Sequence, residues 1–309
     1  MRIASLLPSA TELVCAVGAR DQLVGISHEC DFPAGLESLP ALTSTRIGAP
    51  KTSAAIHAEV QGLVREVLSI YSVEEEALRD ARPDVIITQD LCDVCAVSSS
   101  DVDKALCALG MDDVTVVNLS PTRLHDVLDD LERVGAAISR GEEAAEARRG
   151  LEDRLEALRA QTMALPRRAV LTLEWIDPLM VGGTWMPELI ECAGGHALIA
   201  RAGEHAPIIE RDLLPGIDPA PEVVVVKPCG FPLARTLEEE KQLEDLFRGL
   251  DWPAVARGQV YLADGNAYFN RPGPRLVESA ELLACCIHPE VFGAPAERFP
   301  GEALQLDLS

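Results

Sequence analysis

The sequence predicts an α/β protein of two lobes joined by a long charged helix. Short β-branched runs alternate with amphipathic stretches from Arg2 to Asn118, the signature of a mostly parallel sheet covered by helices. Two helical stretches then follow without a strand between them. After Pro166 the β/α alternation starts again and continues to the end of the chain. At 309 residues there is room for about two domains, and the boundaries fall at 1–121, 122–165 and 166–309.

In the first lobe, Arg2–Leu7 reads as a strand, and Ser9 is placed to cap a helix carrying Leu13, Val14 and Val17. Leu23–Ser27 is a second strand that leads into His28-Glu29-Cys30-Asp31-Phe32-Pro33. Pro40–Pro50 reads as loop, Ile56–Val67 as helix, and Val73–Ala81 as a short helix closed by Arg82-Pro83. The strand Asp84–Thr88 enters Gln89-Asp90-Leu91-Cys92-Asp93-Val94-Cys95. Val102–Leu109 is helical, Gly110 ends it, and Val114–Asn118 is another strand.

Ser120-Pro121 supplies a capping hydroxyl followed by proline, a helix start for the stripe Leu124, Val127, Leu128, Leu131, Val134 and Ile138. Glu142–Leu165 has too few apolar positions to be buried on all sides and spans about 35 Å, about the width of a domain. It predicts a rigid bridge. In the second lobe Ala169–Leu173, Glu222–Val226 and Gln259–Ala263 are strands. Trp185–Ala193, Leu237–Leu250 and Pro274–Ile287 are helices.

Composition narrows the function. Lys+Arg 27 against Asp+Glu 50 gives a net charge of −23, which disfavours nucleic acid and anionic lipid as partners. No run approaches the roughly 20 apolar residues of a membrane span, and Pro8, Ser9, Thr11 and Glu12 interrupt any signal-peptide core. The expected compartment is the cytoplasm, with an exported location only if a leader has been removed.

Nine cysteines in a reducing compartment are thiols or metal ligands. Cys15, Cys107, Cys192, Cys285 and Cys286 fall in helical stripes and read as core residues. Cys30, Cys92, Cys95 and Cys229 each follow the carboxyl end of a predicted strand, where open sheets place their ligands. If the lobes face one another, these four thiolates line one cleft. The set suits an iron–sulfur cluster, the [4Fe-4S] form included, or another thiolate-bound metal. A redox dithiol at Cys92 and Cys95 is the competing reading. The same edges carry candidate ligand contacts at Ser9, Gln89, Asn270 and Arg271, candidate acid/base groups at Glu174, His28 and Asp90, and a candidate aromatic wall of Trp175, Trp185, Tyr268 and Phe269. Asn270-Arg271 has two readings, an anchor for an anionic ligand or a tie that holds its loop against the sheet.

Ile3–Glu12, Tyr71–Thr88, the bridging helix and Val260–Arg275, which ends in Asn-Arg-Pro-Gly-Pro-Arg, resemble the solute-binding proteins of metal-chelate ABC importers, nearest their cobalamin-binding branch. The resemblance covers essentially the whole chain. It implies the type III, helical-backbone fold, with two Rossmann-like α/β lobes, a long bridging helix and a ligand cleft between the lobes. It also implies cobalamin as a ligand and an ABC-transporter membrane subunit as a partner. The cysteine motifs are not part of that pattern. Three functions follow: a binding protein holding a metal-containing ligand or cluster through the cysteine quartet, an iron–sulfur-dependent cytosolic enzyme acting on a small molecule, and a plain corrinoid-binding subunit of an importer.

Overall fold

The computed structural model describes residues 1–48, 52–65, 70–89, 99–111 and 113–308. It divides into two compact units. Met1–Lys51, Ala55–Pro121 and His125–Leu151 form the first, and Thr52–Ala54, Thr122–Leu124 and Glu152–Ser309 form the second.

The first unit contains β1 (Ile3–Ser5), β2 (Leu23–Gly25), the antiparallel pair β3 (Thr43–Thr45) and β4 (Tyr71–Val73), β5 (Val85–Gln89) and β6 (Thr115–Leu119). Strands β2-β1-β5-β6 form one all-parallel sheet in that order, with Ile3 opposite Val85 and Val85 opposite Thr115. The two central strands are buried throughout, so they read as continuous apolar runs and not as alternating ones. Alternation instead decides which layer each residue joins. Ile3 and Ile87 meet Leu13 and Val14 of helix α1 (Pro8–Ala16), Val17 at its C-cap, and Leu131 and Val134 of a later helix. Ala4 and Ile86 turn to the other face, against Leu78, Val102 and Leu106. The helices on this unit are α1, α2 (Ser53–Arg65, which starts in the second unit), α3 (Glu75–Ala81), α4 (Ser99–Leu109) and α5 (Leu124–Ala137).

Helix α6 (Gly141–Thr162) begins in the first unit and ends in the second, the division falling between Leu151 and Glu152. Only Ala144, Leu155, Leu158 and Thr162 are buried along it, in keeping with its charged sequence. Arg154 is tied to Glu278 and Glu281, which fixes the second half to its own unit.

The second unit is built on a seven-stranded sheet. Its strands are β7 (Arg168–Trp175), β8 (Leu179–Val181), β9 (Gly195–Ala197), β10 (Ile208–Ile209), β11 (Val223–Val226), β12 (Val260–Ala263) and β13 (Ala303–Gln305). The order is β10-β8-β7-β11-β12-β13, with β9 beside β7. The centre β7-β11-β12 is parallel, and β8, β10 and β13 are antiparallel additions. Its helices include α7 (Met186–Cys192), α8 (Leu233–Leu237), α9 (Glu240–Phe247), α10 (Pro253–Ala256) and α11 (Leu276–Ile287). Leu171, Leu173, Val224, Val226, Val260 and Leu262 pack on Leu243, Phe247 and Trp252, while α7 and α11 pack on each other.

Several expectations are corrected. Ser9 is not the cap of α1: Leu7 takes the extended cap position and Pro8 the first helical one. Helix α5 starts at Leu124, not at Ser120-Pro121, because the Glu188 carboxylate supplies the missing acceptor to the Leu124 N–H at 2.8 Å. Val73 ends strand β4 instead of opening a helix, and Thr43–Thr45 is strand, not loop. The single helix expected over Leu237–Leu250 is two, broken around Glu239. Strands β8, β9, β10 and β13 are three residues or fewer, too short for periodicity to reveal. Cys107 is exposed, so only Cys192, Cys285 and Cys286 of the five cysteines read as core are fully buried.

Candidate functional site

The carboxyl edge of the second unit's parallel strands carries a built polar cluster. Lys227 directly follows the four valines of β11, and its side chain is 0% exposed. A buried ammonium is tolerated only when its donors are met. Here Nζ donates to Asn270 Oδ1 at 2.8 Å and to Glu174 Oε2 at 3.2 Å. Glu174 comes from the end of β7, and the same Oε2 accepts the Gly183 backbone N–H at 3.2 Å. Asn270 turns its amide nitrogen to the carbonyls of Lys227 (3.2 Å) and Gly265 (2.9 Å). The lysine and its two partners thus tie together the exits of β7, β11 and β12 and the turn between β8 and α7.

Asp264 fixes the loop after β12. Its Oδ1 accepts the N–H groups of Asn266 and Ala267, and its Oδ2 that of Leu233. Close packing at this edge demands glycine. A Cβ on Gly265 would lie 2.1 Å from the Pro228 carbonyl oxygen, and one on Gly182 would lie 3.3 Å from Lys227 Nζ and 2.6 Å from Thr172 Oγ1.

Of the candidate residues, this edge brings together Glu174 and Asn270. The structure favours the loop-holding role for Asn270, and Arg271 donates to Asn266 within the same loop. Trp175 and Tyr268 are half-buried at the rim. Trp175 meets Phe231 edge-on at 5.2 Å, the Arg235 guanidinium lies over that same Phe231 ring at 4.6 Å, and Tyr268 meets Phe299. Trp185 and Phe269 are not part of a wall. Both are buried, and the Trp185 indole N–H donates to the Phe269 carbonyl at 2.7 Å.

In the first unit the loop after β2 is organised by Thr43, which meets Ser27 Oγ at 3.0 Å and His28 Nδ1 at 2.7 Å. His28 lies 5.5 Å from the Tyr71 ring, and the Tyr71 hydroxyl donates to Glu29 at 2.9 Å. Cys30 Sγ is 3.1 Å from Thr11 Oγ1, which in turn donates to Ser5. Ser9 Oγ and Gln89 Oε1 are buried at the carboxyl edges of β1 and β5, without a hydrogen-bond partner among the described residues.

Asp90, Cys92 and Cys95 lie outside the described residues. Among the described residues no group of three or more His, Cys, Asp or Glu side chains could hold a metal ion. Cys229 is exposed on the second unit, and Cys30 belongs to the Thr11 network of the first. The iron–sulfur expectation therefore has no support here.

Lys227, Thr43 and Tyr71 are absent from the sequence reading of the site. A signal for Lys227 was present: a lone cation between Val-Val-Val-Val and proline must be buried and must find partners. Thr43 and Tyr71 sit on the two short strands whose pairing the sequence does not announce.

Polar clusters at the strand exits of two α/β units, with helix α6 shared between those units, make up this architecture. A family model described as periplasmic binding protein matches residues 3–267, and the chain belongs to that family. Among curated relatives, it is similar to the vitamin B12-binding protein of Photorhabdus laumondii, with 23% identity over 285 residues, 92% of this chain and 86% of that one. Among solved structures it is similar to a periplasmic heme-binding protein from Pseudomonas aeruginosa, with TM-score 0.69, 21% identity, and 94% and 93% of the two chains covered. It is likewise similar to the periplasmic vitamin B12-binding protein of Vibrio cholerae, with TM-score 0.63, 19% identity, and 93% and 96% covered. These structural likenesses establish the fold.

Proposed function

We propose that the protein binds a corrinoid-class metal chelate, cobalamin or a close relative, as a solute, and passes it to the membrane component of an ABC importer. The observation that carries this reading is the second unit's carboxyl edge, where the Lys227–Glu174–Asn270 clamp holds a rim bearing Trp175 and Tyr268. A large planar solute needs such a rim: fixed in advance, partly aromatic, with its polar groups already satisfied. Family membership and the vitamin B12-binding relatives support the solute class. The net charge of −23 favours a corrinoid over haem, whose two carboxylates would meet an acidic surface.

The test is a calorimetric and visible-absorbance titration with cyanocobalamin, repeated with haemin. The expected result is saturable one-to-one corrinoid binding at micromolar Kd or tighter. A Kd weaker than about 1 mM, or about −4 kcal/mol, for corrinoid alongside tight haemin binding would overturn the assignment. The same titration on a chain with Cys30, Cys92, Cys95 and Cys229 all changed to serine is expected to agree within twofold, since the proposed binding uses no thiolate.

A further inference from the structure

The loop after β12 contains a turn that its own residue type disfavours. Phe269 has a φ of 68°, in the left-handed region that a bulky L residue rarely enters. Across it the Asn270 N–H donates to the Tyr268 carbonyl at 2.8 Å, closing a three-residue turn of the strained γ type. Such a backbone persists only where its surroundings over-determine it.

Here every group of Phe269 is held. Its side chain is 1% exposed. Its N–H donates to Ser279 Oγ at 2.9 Å, and the Ser279 hydroxyl is itself committed to the Arg275 carbonyl at 2.9 Å, which leaves the oxygen as an acceptor for the turn. Its carbonyl accepts the Trp185 indole N–H at 2.7 Å. Ser279 lies in the first turn of α11 and Trp185 is the N-cap residue of α7, so two helices grip one residue.

In an extended chain, residues two apart share a face, and Tyr268 and Asn270 would point the same way. The reversal at Phe269 gives them different tasks. Asn270 Oδ1 meets Lys227 Nζ at 2.8 Å, while Tyr268 stays half-buried at the rim, edge-on to Phe299 and with the Arg275 guanidinium 5.7 Å from its ring.

We propose that Trp185 and Ser279 are positioning residues for the solute: by holding Phe269 in its strained turn, they fix Tyr268 at the rim before the solute arrives. The proposal rests on the corrinoid reading for the identity of that solute. A rim in place in only a fraction of the molecules weakens binding by that fraction.

The chain holds three tyrosines, Tyr71, Tyr261 and Tyr268, so 3-fluorotyrosine labelling gives three fluorine NMR signals, assigned with Tyr71→Phe, Tyr261→Phe and Tyr268→Phe. In the ligand-free chain, Ser279→Ala and Trp185→Phe are each expected to shift or split the Tyr268 signal and to leave the other two in place. The Kd for cyanocobalamin should rise with it, about fivefold if the turn is kept in about a fifth of the molecules. Ser279→Ala removes a single oxygen, and an unmoved Tyr261 signal from the same unit shows that the fold is kept. If Trp185→Phe does not fold, Ser279→Ala decides alone. A Tyr268 signal unchanged in Ser279→Ala, or a moved signal with an unchanged Kd, would overturn the proposal. The fluorine measurement needs no ligand: a parent that fails to bind cyanocobalamin defeats the corrinoid reading, while the Tyr268 signal still decides the positioning.

Discussion

Replacing Lys227 with methionine removes a fully buried ammonium while keeping most of its aliphatic volume. Glu174 Oε2 then keeps only the Gly183 N–H, and Asn270 Oδ1 loses its charged donor. Breaking a buried ion pair from one side costs about 3–5 kcal/mol. The Glu174 side chain is 22% exposed and can recover water, which places the expected loss near the bottom of that range, about 3 kcal/mol. All three tryptophans, Trp175, Trp185 and Trp252, lie in the second unit, so their fluorescence during urea unfolding reports on the unit that contains the clamp. With a slope of about 2 kcal/mol per molar urea, the midpoint should fall by about 1.5 M. The Glu174→Gln, Lys227→Met double variant should be less destabilised than the sum of the singles by at least about 1 kcal/mol, because the orphaned carboxylate has gone. A midpoint within 0.3 M (about 0.6 kcal/mol at that slope) of the parent, or strict additivity, would show that the three groups are neighbours without being coupled.

Burial of Asp130 holds its carboxyl at about 6, above the 3.8 of the free side chain, in spite of Arg133 at 2.7 Å. The folded chain therefore takes up a proton between those values, so stability rises as pH falls from above 6 towards 4, and the full cost is present at pH 8. Asp130→Asn should stabilise the protein by about 3 kcal/mol at pH 8, with the gain fading towards pH 4; a pH-independent difference in melting temperature would contradict this. Gly265→Ala should lower the melting temperature by at least 5 °C and weaken corrinoid binding, since its Cβ meets a backbone oxygen at 2.1 Å; an unchanged melt would show that the loop yields freely. Glu239→Gln should destabilise by about 1 kcal/mol, because its carboxylate accepts both the N–H and the hydroxyl of Ser53 at the start of α2. Denaturant midpoints across added salt would expose the charge contribution.

The α/β class, the charged bridging helix and the strand-exit loops were legible because each depends on local pattern. Val223–Val226 can hardly be anything but a buried strand, and the polar length of α6 announces a helix with few core contacts. The beginnings of α5 and α2 were not legible, because their caps come from Glu188 and Glu239, distant in sequence. Half of the Lys227 clamp was visible: Glu174 and Asn270 stood out as polar residues at predicted edges. The lysine that joins them carries no motif, and only its place between four valines and a proline marks it as buried. Four cysteines drew the eye because sulfur chemistry is recognisable from spacing; Cys92 and Cys95 lie outside the described residues, and Cys30 and Cys229 belong to different units. Cys107 shows the limit of such a reading, since an apolar-looking stripe position faces solvent.

Asn270 is read at both ends of its carboxamide, the oxygen by an ammonium and the nitrogen by two carbonyls. The position therefore tells apart isosteres that differ by a single atom. Aspartate would keep the oxygen that faces Lys227, but would turn a second oxygen towards the carbonyls of Lys227 and Gly265, replacing two attractions with two repulsions. Leucine, of nearly the same shape, would satisfy neither side. Deamidation at this one residue would thus convert a tie between two loops into a wedge.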